Sequence, residues 1–285
     1  MYTTLISVPQ LQALRALSTP VLVIDCTCDL MQPAVGPQQF QAQHIAGAVY
    51  ADLNDNLSAQ DAHQAVNGGR HPLPQREVFV QWLERIGLTP DMQVVVYDRN
   101  GMNYCGRLWW MLKWCGHEAV AVLDGGWQAW LAAGGATASG EAPARLPSGF
   151  ALKAPLVNLV DTATVAAHLG QPQQTLIDAR GAPRYRGEVE PIDPVAGHIP
   201  GALNRPFNSN LTEQGFFKSP EVLRAEFVEL LAGRTPHSVV HHCGSGVSAV
   251  PNVLAMEVAG LGRSGLYAGS WSEWCTTPGL PVAKG

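Results

Sequence analysis

The stretch VVHHCGSGVSAVPNVL, residues 239–254, contains the pattern that decides the fold. Its first residues, with Ser238 before them, form a short β-branched run that is typical of a buried strand. Beyond the loop, apolar residues recur at spacings of three and four, as on one face of a helix. These residues are Val247, Val250, Leu254, Val258 and Leu261. Cys243 is therefore predicted to lie in a tight turn between strand and helix, where open α/β sheets bind ligands.

The composition is that of a globular protein. The chain has 285 residues, of which 46% are hydrophobic and 14% charged, and this length favours two domains of ordinary size. A net charge of −5 argues against a nucleic-acid partner. No apolar run reaches the length of about 18 residues that a membrane span requires. The N-terminal residues lack the pattern of a secretory signal, so we expect a cytoplasmic protein with no membrane partner.

The six cysteines are too few and too scattered for a disulfide framework. Five of them have a simple interpretation as small core residues or strand-end residues. They are Cys26, Cys28, Cys105, Cys115 and Cys275. Only Cys243, which is followed by glycine or serine at four of the next five positions, stands in a context that packing does not explain.

The two halves of the chain repeat the same motifs in the same order. Four pairs of segments match at separations of 153, 154, 145 and 144 residues. The pairs are 21–25 with 175–178, 44–48 with 198–202, 94–98 with 239–243, and 125–130 with 269–274. Four matches in one order indicate a duplicated domain.

Short β-rich runs alternate with helical stretches, such as residues 76–86 and 220–232, in each half. This alternation predicts parallel strands joined by right-handed helical crossovers. We therefore expect an α/β fold of two tandem domains, each a parallel sheet with helices on both faces. The predicted boundaries are a first domain at 1–135, a linker at 136–155 and a second domain at 156–285.

The duplication places Asp98 where the second half has Cys243. In the first half this aspartate is followed by Arg99 and Asn100 instead of a Gly/Ser turn. A cysteine needed only for folding would be expected in both halves. We therefore predict that the second half carries the chemistry and that the first half is a scaffold.

The loop after Cys243 is suited to binding an anion. Gly244 and Gly246 let the backbone curl so that successive N–H groups point at one site, and the helix N-terminus adds partial positive charge. Such surroundings favour a reactive thiolate. A cysteine-dependent phosphatase would also need an arginine about six residues after the nucleophile to grip the phosphoryl group. That position is Ala249, so a phosphatase is the weaker interpretation.

The paired HIxGA segments, the DGGW and GSWSEW segments and the CGSGVS loop resemble those of the tandem rhodanese-fold sulfurtransferases over nearly the whole chain. Within that family the loop is similar to that of the 3-mercaptopyruvate sulfurtransferases, because it contains no cationic side chain. The resemblance implies that Cys243 takes sulfur from 3-mercaptopyruvate as a persulfide and passes it to a thiol or to cyanide. The loop residues that the resemblance implies to bind the substrate are Gly244, Gly246, Val247 and Ser248.

The resemblance also implies two arginines and a proton relay. Arg184 falls on the arginine that binds the substrate carboxylate, and Arg186 is close enough in sequence to assist. The mercaptopyruvate enzymes typically have a further arginine directly after a Glu-Pro pair, where this chain has Ile192. The relay would consist of three residues that polarise the substrate carbonyl or move a proton. They are Ser245, His71 and Asp52.

No metal or organic cofactor is expected for such a sulfur transfer. His241 and His242 could be interpreted as metal ligands, but adjacent strand residues point to opposite faces of a sheet and cannot converge on one ion. The recurring pair His44 and His198 is interpreted as structural, and the recurring tryptophans as core anchors. The expected partners are a small anionic sulfur donor and a thiol acceptor, either a thioredoxin-like protein or a small thiol. Thiosulfate as the donor, and a persulfide carrier without turnover, are the alternatives.

Overall fold

Parallel strands alternate with helices in the computed structural model, which describes residues 1–17 and 20–285. The chain forms two compact units. The first unit comprises Met1–Gln64, Pro74–Leu156 and Glu213–Phe216. The second unit comprises Ala65–Leu73, Val157–Thr212 and Phe217–Gly285. Each unit therefore includes a short segment from the other half of the sequence. The boundaries predicted at 1–135, 136–155 and 156–285 stay a prediction.

The first unit contains a parallel sheet with the strand order β1-β6-β5-β2-β4 and a short antiparallel pair, β3 with β7. Its elements are β1 (Leu5–Ile6), α1 (Val8–Ala16), β2 (Val21–Asp25), α2 (Val35–Ala42), β3 (His44–Ile45), β4 (Val49–Tyr50), a 3₁₀ turn (Ala62–Gln64), α3 (Arg76–Arg85), β5 (Gln93–Tyr97), α4 (Cys105–Trp114), β6 (Val120–Leu123), α5 (Gly126–Ala132) and β7 (Thr137–Ala138). Strand β7 lies within the predicted linker.

The second unit contains a parallel sheet with the strand order β10-β9-β11-β12-β8. Its elements are β8 (Asn158–Leu159), α6 (Thr162–Ala167), β9 (Thr175–Asp178), α7 (Ala182–Tyr185), β10 (Leu203–Asn204), 3₁₀ turns (Phe207–Asn210 and Pro236–Ser238), α8 (Pro220–Leu231), β11 (Val239–His242), α9 (Val250–Val258), β12 (Gly265–Leu266) and α10 (Ser270–Trp274).

The two sheets have one topology. The strands β1, β2, β4, β5 and β6 occupy the same places in the first sheet as β8, β9, β10, β11 and β12 in the second. The predicted α/β fold of two domains with parallel sheets is therefore confirmed. Helix α8 shows how local sequence fixes its start: the Ser219 hydroxyl accepts a hydrogen bond from the N–H of Val222, and Pro220 occupies the first turn.

The motifs that recur in the sequence form matching pieces of the two cores. Trp127 and Trp130 lie in the core of the first unit, and Trp271 and Trp274 lie in that of the second. Their role as core anchors is confirmed. Truncation of such a buried tryptophan to alanine typically costs about 3–5 kcal/mol of stability.

The recurring histidines have equivalent structural roles. His44 stacks on Phe40 at 3.9 Å between ring centroids, and its Nδ1 lies 2.8 Å from the Phe40 carbonyl oxygen. His198 stacks on Tyr185 at 3.9 Å, and its Nδ1 lies 2.8 Å from the Tyr185 carbonyl oxygen. Both histidines bond to a backbone carbonyl and stack on an aromatic ring, which agrees with their interpretation as structural residues. In the described part of the chain, no helix is both long and apolar enough to cross a bilayer.

Candidate active site

Cys243 directly follows β11 and is buried, with 2% of its surface exposed. The loop after it turns through Gly246, whose φ is +74°. A Cβ at this position would lie 2.2 Å from the Ala268 carbonyl oxygen, so both the backbone conformation and the close approach require glycine. Helix α9 then begins at Val250. The predicted strand, tight turn and helix around the cysteine are therefore present.

A second backbone segment holds the loop from the side. The Cys243 N–H donates to Ser270 Oγ at 3.1 Å, and the Trp271 N–H donates to the Cys243 carbonyl at 2.9 Å. The Ser272 N–H donates to the Gly244 carbonyl at 2.9 Å. Ser270 itself adopts the left-handed region with φ +55°, which is strained for a residue with a side chain. The sequence motif around Ser270 predicted a core tryptophan and missed this support of Cys243.

Backbone amide groups of the loop after Cys243 face no protein acceptor, among them three at positions that matter for the comparison with the first unit. Within the described residues, the N–H groups of Ser245, Val247 and Ala249 form no hydrogen bond. Buried amides without partners are rare in folded proteins. A loop that leaves such amides beside a cysteine can supply them to an anion bound at the sulfur.

The matching loop of the first unit shows where such amides point. The carboxylate of Asp98 is fully buried, and its Oδ1 accepts hydrogen bonds from the N–H groups of Asn100 and Met102 at 2.8 and 2.9 Å. Its Oδ2 accepts from Tyr104 and Cys105 at 2.8 and 2.9 Å. Burial raises the pKa of Asp98, and these hydrogen bonds oppose that rise. The first loop therefore binds its own anion.

The two loops are equal in length. Asp98 is seven residues before the start of α4 at Cys105, and Cys243 is seven residues before the start of α9 at Val250. A glycine with positive φ occupies the third position after each of them, Gly101 at +70° and Gly246 at +74°. The amides that bind the Asp98 carboxylate thus correspond to those that surround Cys243.

His71 and Ser245 lie together, as the relay predicted from sequence requires. The segment 65–73 belongs to the second unit, and its His71 is buried with Nδ1 2.7 Å from Ser245 Oγ. Asp52 belongs to the first unit, where its Oδ1 accepts hydrogen bonds from the N–H groups of Asn54 and Asp55 at 2.7 and 3.1 Å. The imidazole and hydroxyl pair can move a proton.

The two arginines predicted from sequence have different surroundings. Arg184 donates from Nη2 to Glu190 Oε1 at 2.6 Å and from Nε to Glu190 Oε2 at 3.2 Å. Burial acts to raise the pKa of Glu190, but the hydrogen bonds from Arg184 and from backbone N–H groups lower it overall. Arg186 instead pairs with Glu188 at 2.6 Å on the surface, with 43% of its side chain exposed.

Arg70 and Asp193 also belong to this group of charged side chains, although the sequence did not predict them. Asp193 accepts a hydrogen bond from Arg184 at 3.1 Å and another from Arg70, and its side chain is 2% exposed. Burial raises the pKa of Asp193, and the charge of Arg70 opposes this rise. The one signal in the sequence was the position of Arg70 directly before the predicted relay residue His71.

The remaining predicted loop residues are all placed at the turn. Gly244, Gly246 and Val247 are buried, and Ser248 is half-buried. Among the residues that the structure describes, no group of three or more histidine, cysteine, aspartate or glutamate side chains is arranged to hold a metal ion.

Comparisons with known proteins agree with this architecture. The family model described as Rhodanese-like domain matches the chain twice, at residues 8–133 and 161–277. The "Probable 3-mercaptopyruvate sulfurtransferase" of Pseudomonas aeruginosa is 48% identical over 276 residues, covering 96% of each chain.

Two further proteins differ in the donor that they are named for. The "Putative thiosulfate sulfurtransferase SseB" of Mycobacterium tuberculosis is 37% identical over 287 residues, covering 99% of this chain and 97% of that protein. The solved structure of 3-mercaptopyruvate sulfurtransferase from Leishmania major has a TM-score of 0.82 at 30% identity, covering 98% of this chain and 76% of that one.

Proposed function

This chain belongs to the rhodanese family and is a sulfurtransferase, and we propose that it moves sulfur from 3-mercaptopyruvate to a thiol or cyanide through a persulfide on Cys243. The supporting observation is the pair of equivalent loops. In the first unit the amides bind a fixed carboxylate, and in the second the corresponding amides of Ser245, Val247 and Ala249 surround a cysteine. An anionic sulfur on Cys243 is the natural ligand for those groups.

The first half-reaction forms the S–S bond. The Cys243 thiolate attacks the substrate sulfur, the carbon–sulfur bond breaks, and its electron pair remains on carbon as the enolate of pyruvate. Ser245 and His71, joined at 2.7 Å, supply the proton that converts this enolate into pyruvate. Asp52 is the third member of the proposed relay. The products are pyruvate and the Cys243 persulfide, whose outer sulfur the loop amides stabilise.

The second half-reaction regenerates the Cys243 thiolate. An acceptor thiolate attacks the outer sulfur, the S–S bond breaks, and its electron pair leaves on the Cys243 sulfur. The acceptor becomes a persulfide, or thiocyanate where cyanide attacks. The proposed acceptor is a small thiol or a thioredoxin-like protein, and the proposed compartment is the cytoplasm.

Thiosulfate is the second candidate donor. One relative at 37% identity is named for thiosulfate, and Ile192, two residues after Glu190, is uncharged where the mercaptopyruvate enzymes typically have an arginine. The loop from Gly244 to Ser248 itself carries no cation to bind a sulfonate dianion, which favours the mercaptopyruvate assignment.

The test is a parallel assay of the purified chain with both donors and one thiol acceptor. Release of pyruvate and of sulfite is followed together with the mass of the peptide that contains Cys243. We expect a higher kcat/KM for 3-mercaptopyruvate and one added sulfur on Cys243 when the acceptor is omitted. A higher kcat/KM for thiosulfate would establish the second candidate, and no added sulfur with either donor would refute the proposal.

A further inference from the structure

Segment 65–73, which carries His71, is held by a side chain of helix α10 in the same unit. The Arg70 N–H donates to Ser272 Oγ at 3.1 Å. Ser272 is buried, with 5% of its surface exposed. A hydroxyl of α10 therefore holds the main chain directly before His71.

Ser272 also holds the loop that begins at Cys243. Its N–H donates to the Gly244 carbonyl at 2.9 Å, and its hydroxyl donates to the Gly269 carbonyl at 3.3 Å. A hydroxyl that donates its one proton to a carbonyl still has lone pairs, and these are free to accept the Arg70 N–H. Ser272 thus contacts the cysteine loop through its main chain and segment 65–73 through its side chain.

Two glycines bring segment 65–73 close to α10. A Cβ on Gly69, whose φ is +86°, would lie 2.7 Å from Ser272 Oγ and 2.8 Å from the Gly269 carbonyl oxygen. A Cβ on Gly68 would lie 3.1 Å from Glu273 Cγ. A side chain at Gly69 would therefore push the main chain away from the hydroxyl, and glycine allows the close approach.

The hydrogen bond to Ser272 acts on the main chain, which makes it a stricter constraint than a contact of the Arg70 side chain. The Arg70 guanidinium bonds to Asp193 through a long side chain with several rotatable bonds. That side chain can keep its contact while the main chain shifts. The bond to Ser272 opposes such a shift, and the next residue is His71, with Nδ1 2.7 Å from Ser245 Oγ.

The first unit uses the corresponding position differently. Gln128 matches Ser272 in the repeat, is exposed, and donates from Nε2 to the Arg99 carbonyl at 3.0 Å. Arg99 and Gly244 are the second residues of their loops, and in the second unit the main-chain N–H of Ser272 makes the bond to this carbonyl. The hydroxyl of Ser272 is thereby left to bind segment 65–73.

We propose that Ser272 is a positioning residue of the sulfur transfer, whose hydroxyl fixes segment 65–73 so that the His71 imidazole stays within hydrogen-bond distance of Ser245. This inference rests on the proposed function, in which His71 and Ser245 supply the proton to the enolate of pyruvate. Ser272 acts through His71 and not on the reacting atoms. A displacement of about 1 Å at a catalytic group can cost about 100-fold in rate, so this main-chain hydrogen bond matters for the proton step.

The experiment measures single-turnover formation of pyruvate from saturating 3-mercaptopyruvate in Ser272→Ala. Alanine keeps the N–H that bonds to Gly244 and removes only the acceptor of the Arg70 N–H. We expect the rate to fall about 10-fold, a part of the roughly 100-fold that loss of a general acid–base contribution costs. The matched control is Ser264→Ala, at another buried serine of the same unit, which should form pyruvate at the wild-type rate.

A double variant separates positioning from a general structural role. In Ser245→Ala the imidazole has lost its hydroxyl partner, so its exact position no longer affects the rate. Adding Ser272→Ala to this variant should lower the rate further by less than about 2-fold, since two residues that act through one contact are not additive.

A second measurement reports on the cysteine loop independently of the donor. Iodoacetamide is a neutral thiol reagent, and the mass of the peptide that contains Cys243 gives the rate of its alkylation. In Ser272→Ala this rate should equal that of the wild type, because the hydrogen bond from the Ser272 N–H to Gly244 is retained.

The possible failures are distinguishable. An unchanged rate of pyruvate formation in Ser272→Ala, with an active wild type, would overturn the positioning role alone. A further fall of about 10-fold in the double variant, or an equal slowing of Cys243 alkylation, would also overturn it, because either result indicates a general disturbance of the unit. A wild type that forms no pyruvate from 3-mercaptopyruvate would overturn the proposed function and this inference together.

Discussion

The loop after β5 and the loop after β11 have the same length and a glycine with positive φ at the same position. They differ in the hydrogen-bond acceptor of their backbone N–H groups. In the first, the side chain of Asp98 binds four backbone N–H groups and fills the turn permanently. In the second, Cys243 occupies the corresponding position, and three of the corresponding amides form no hydrogen bond within the described residues.

This difference separates two properties of a backbone turn. Its capacity to bind an anion comes from the curl of the main chain and from the helix N-terminus, and both loops have it. Its capacity for chemistry comes from the one side chain that begins the loop. A carboxylate fixed in the turn is a structural anion, whereas a thiol in the same place can gain and release a sulfur atom.

The most severe test of the comparison is Cys243→Ser. We expect transfer from 3-mercaptopyruvate to fall by about 1000-fold or more, because the first loop has no nucleophile that could replace the lost thiol. Pyruvate release and the mass of the intact protein measure this. The matched control is Cys275→Ser, at a half-buried free cysteine outside the loop, which should keep its activity. Added sulfur on the Cys243→Ser protein would contradict the assignment of the two loops.

A smaller effect is expected from Ser245→Ala, since Ser245 corresponds to Asn100 in the first loop. Loss of the hydroxyl that contacts His71 should lower kcat about 100-fold, the usual size of a general acid–base contribution. Single-turnover measurement of pyruvate formation separates this step from sulfur release to the acceptor. Ser209→Ala, elsewhere in the same unit, is the control, and an unchanged kcat in Ser245→Ala would remove the proton relay from the mechanism.

The smallest expected effect is on stability and comes from Asp98→Asn. An amide side chain offers one acceptor oxygen, so its NH₂ group would face backbone N–H groups that the carboxylate now satisfies. The free energy of unfolding in urea should fall by about 1–3 kcal/mol, whereas kcat/KM of the folded enzyme should stay the same. Asp91→Asn, an exposed aspartate of the same unit, should change neither quantity. A loss of transfer activity in folded Asp98→Asn would show that the first loop takes part in the chemistry.

Much of the fold could be predicted because its signals are local or repeated. The helices predicted at 76–86 and 220–232 are found at Arg76–Arg85 and Pro220–Leu231. The repeated motifs predicted a duplicated domain, and the two sheets do have the same strand order. The contrast between Asp98 and Cys243 predicted that the chemistry lies in the second loop, and the structure places Ser245 of that loop 2.7 Å from His71.

The missed residues depend on contacts that no local pattern records. Arg70 and Asp193 are 123 residues apart in sequence and lie in loops without periodicity. Ser270 supports Cys243 through a backbone conformation with φ +55°. Serine rarely adopts this conformation, so the sequence gives no reason to expect it. Ion pairs between distant loops and strained backbone are set by the tertiary structure, and a single sequence carries little trace of either.

The exchange of short segments between the two units has a consequence for the gene that encodes them. Residues 65–73, encoded in the first half, complete the second unit, and residues 213–216, encoded in the second half, complete the first. A cut near residue 156 would thus yield two fragments, each lacking part of its own unit, and the fragment with Cys243 would lack Arg70 and His71. Each half of the coding sequence thus contributes to both units, and the second unit with its Cys243, Arg70 and His71 is encoded in full only by the whole chain.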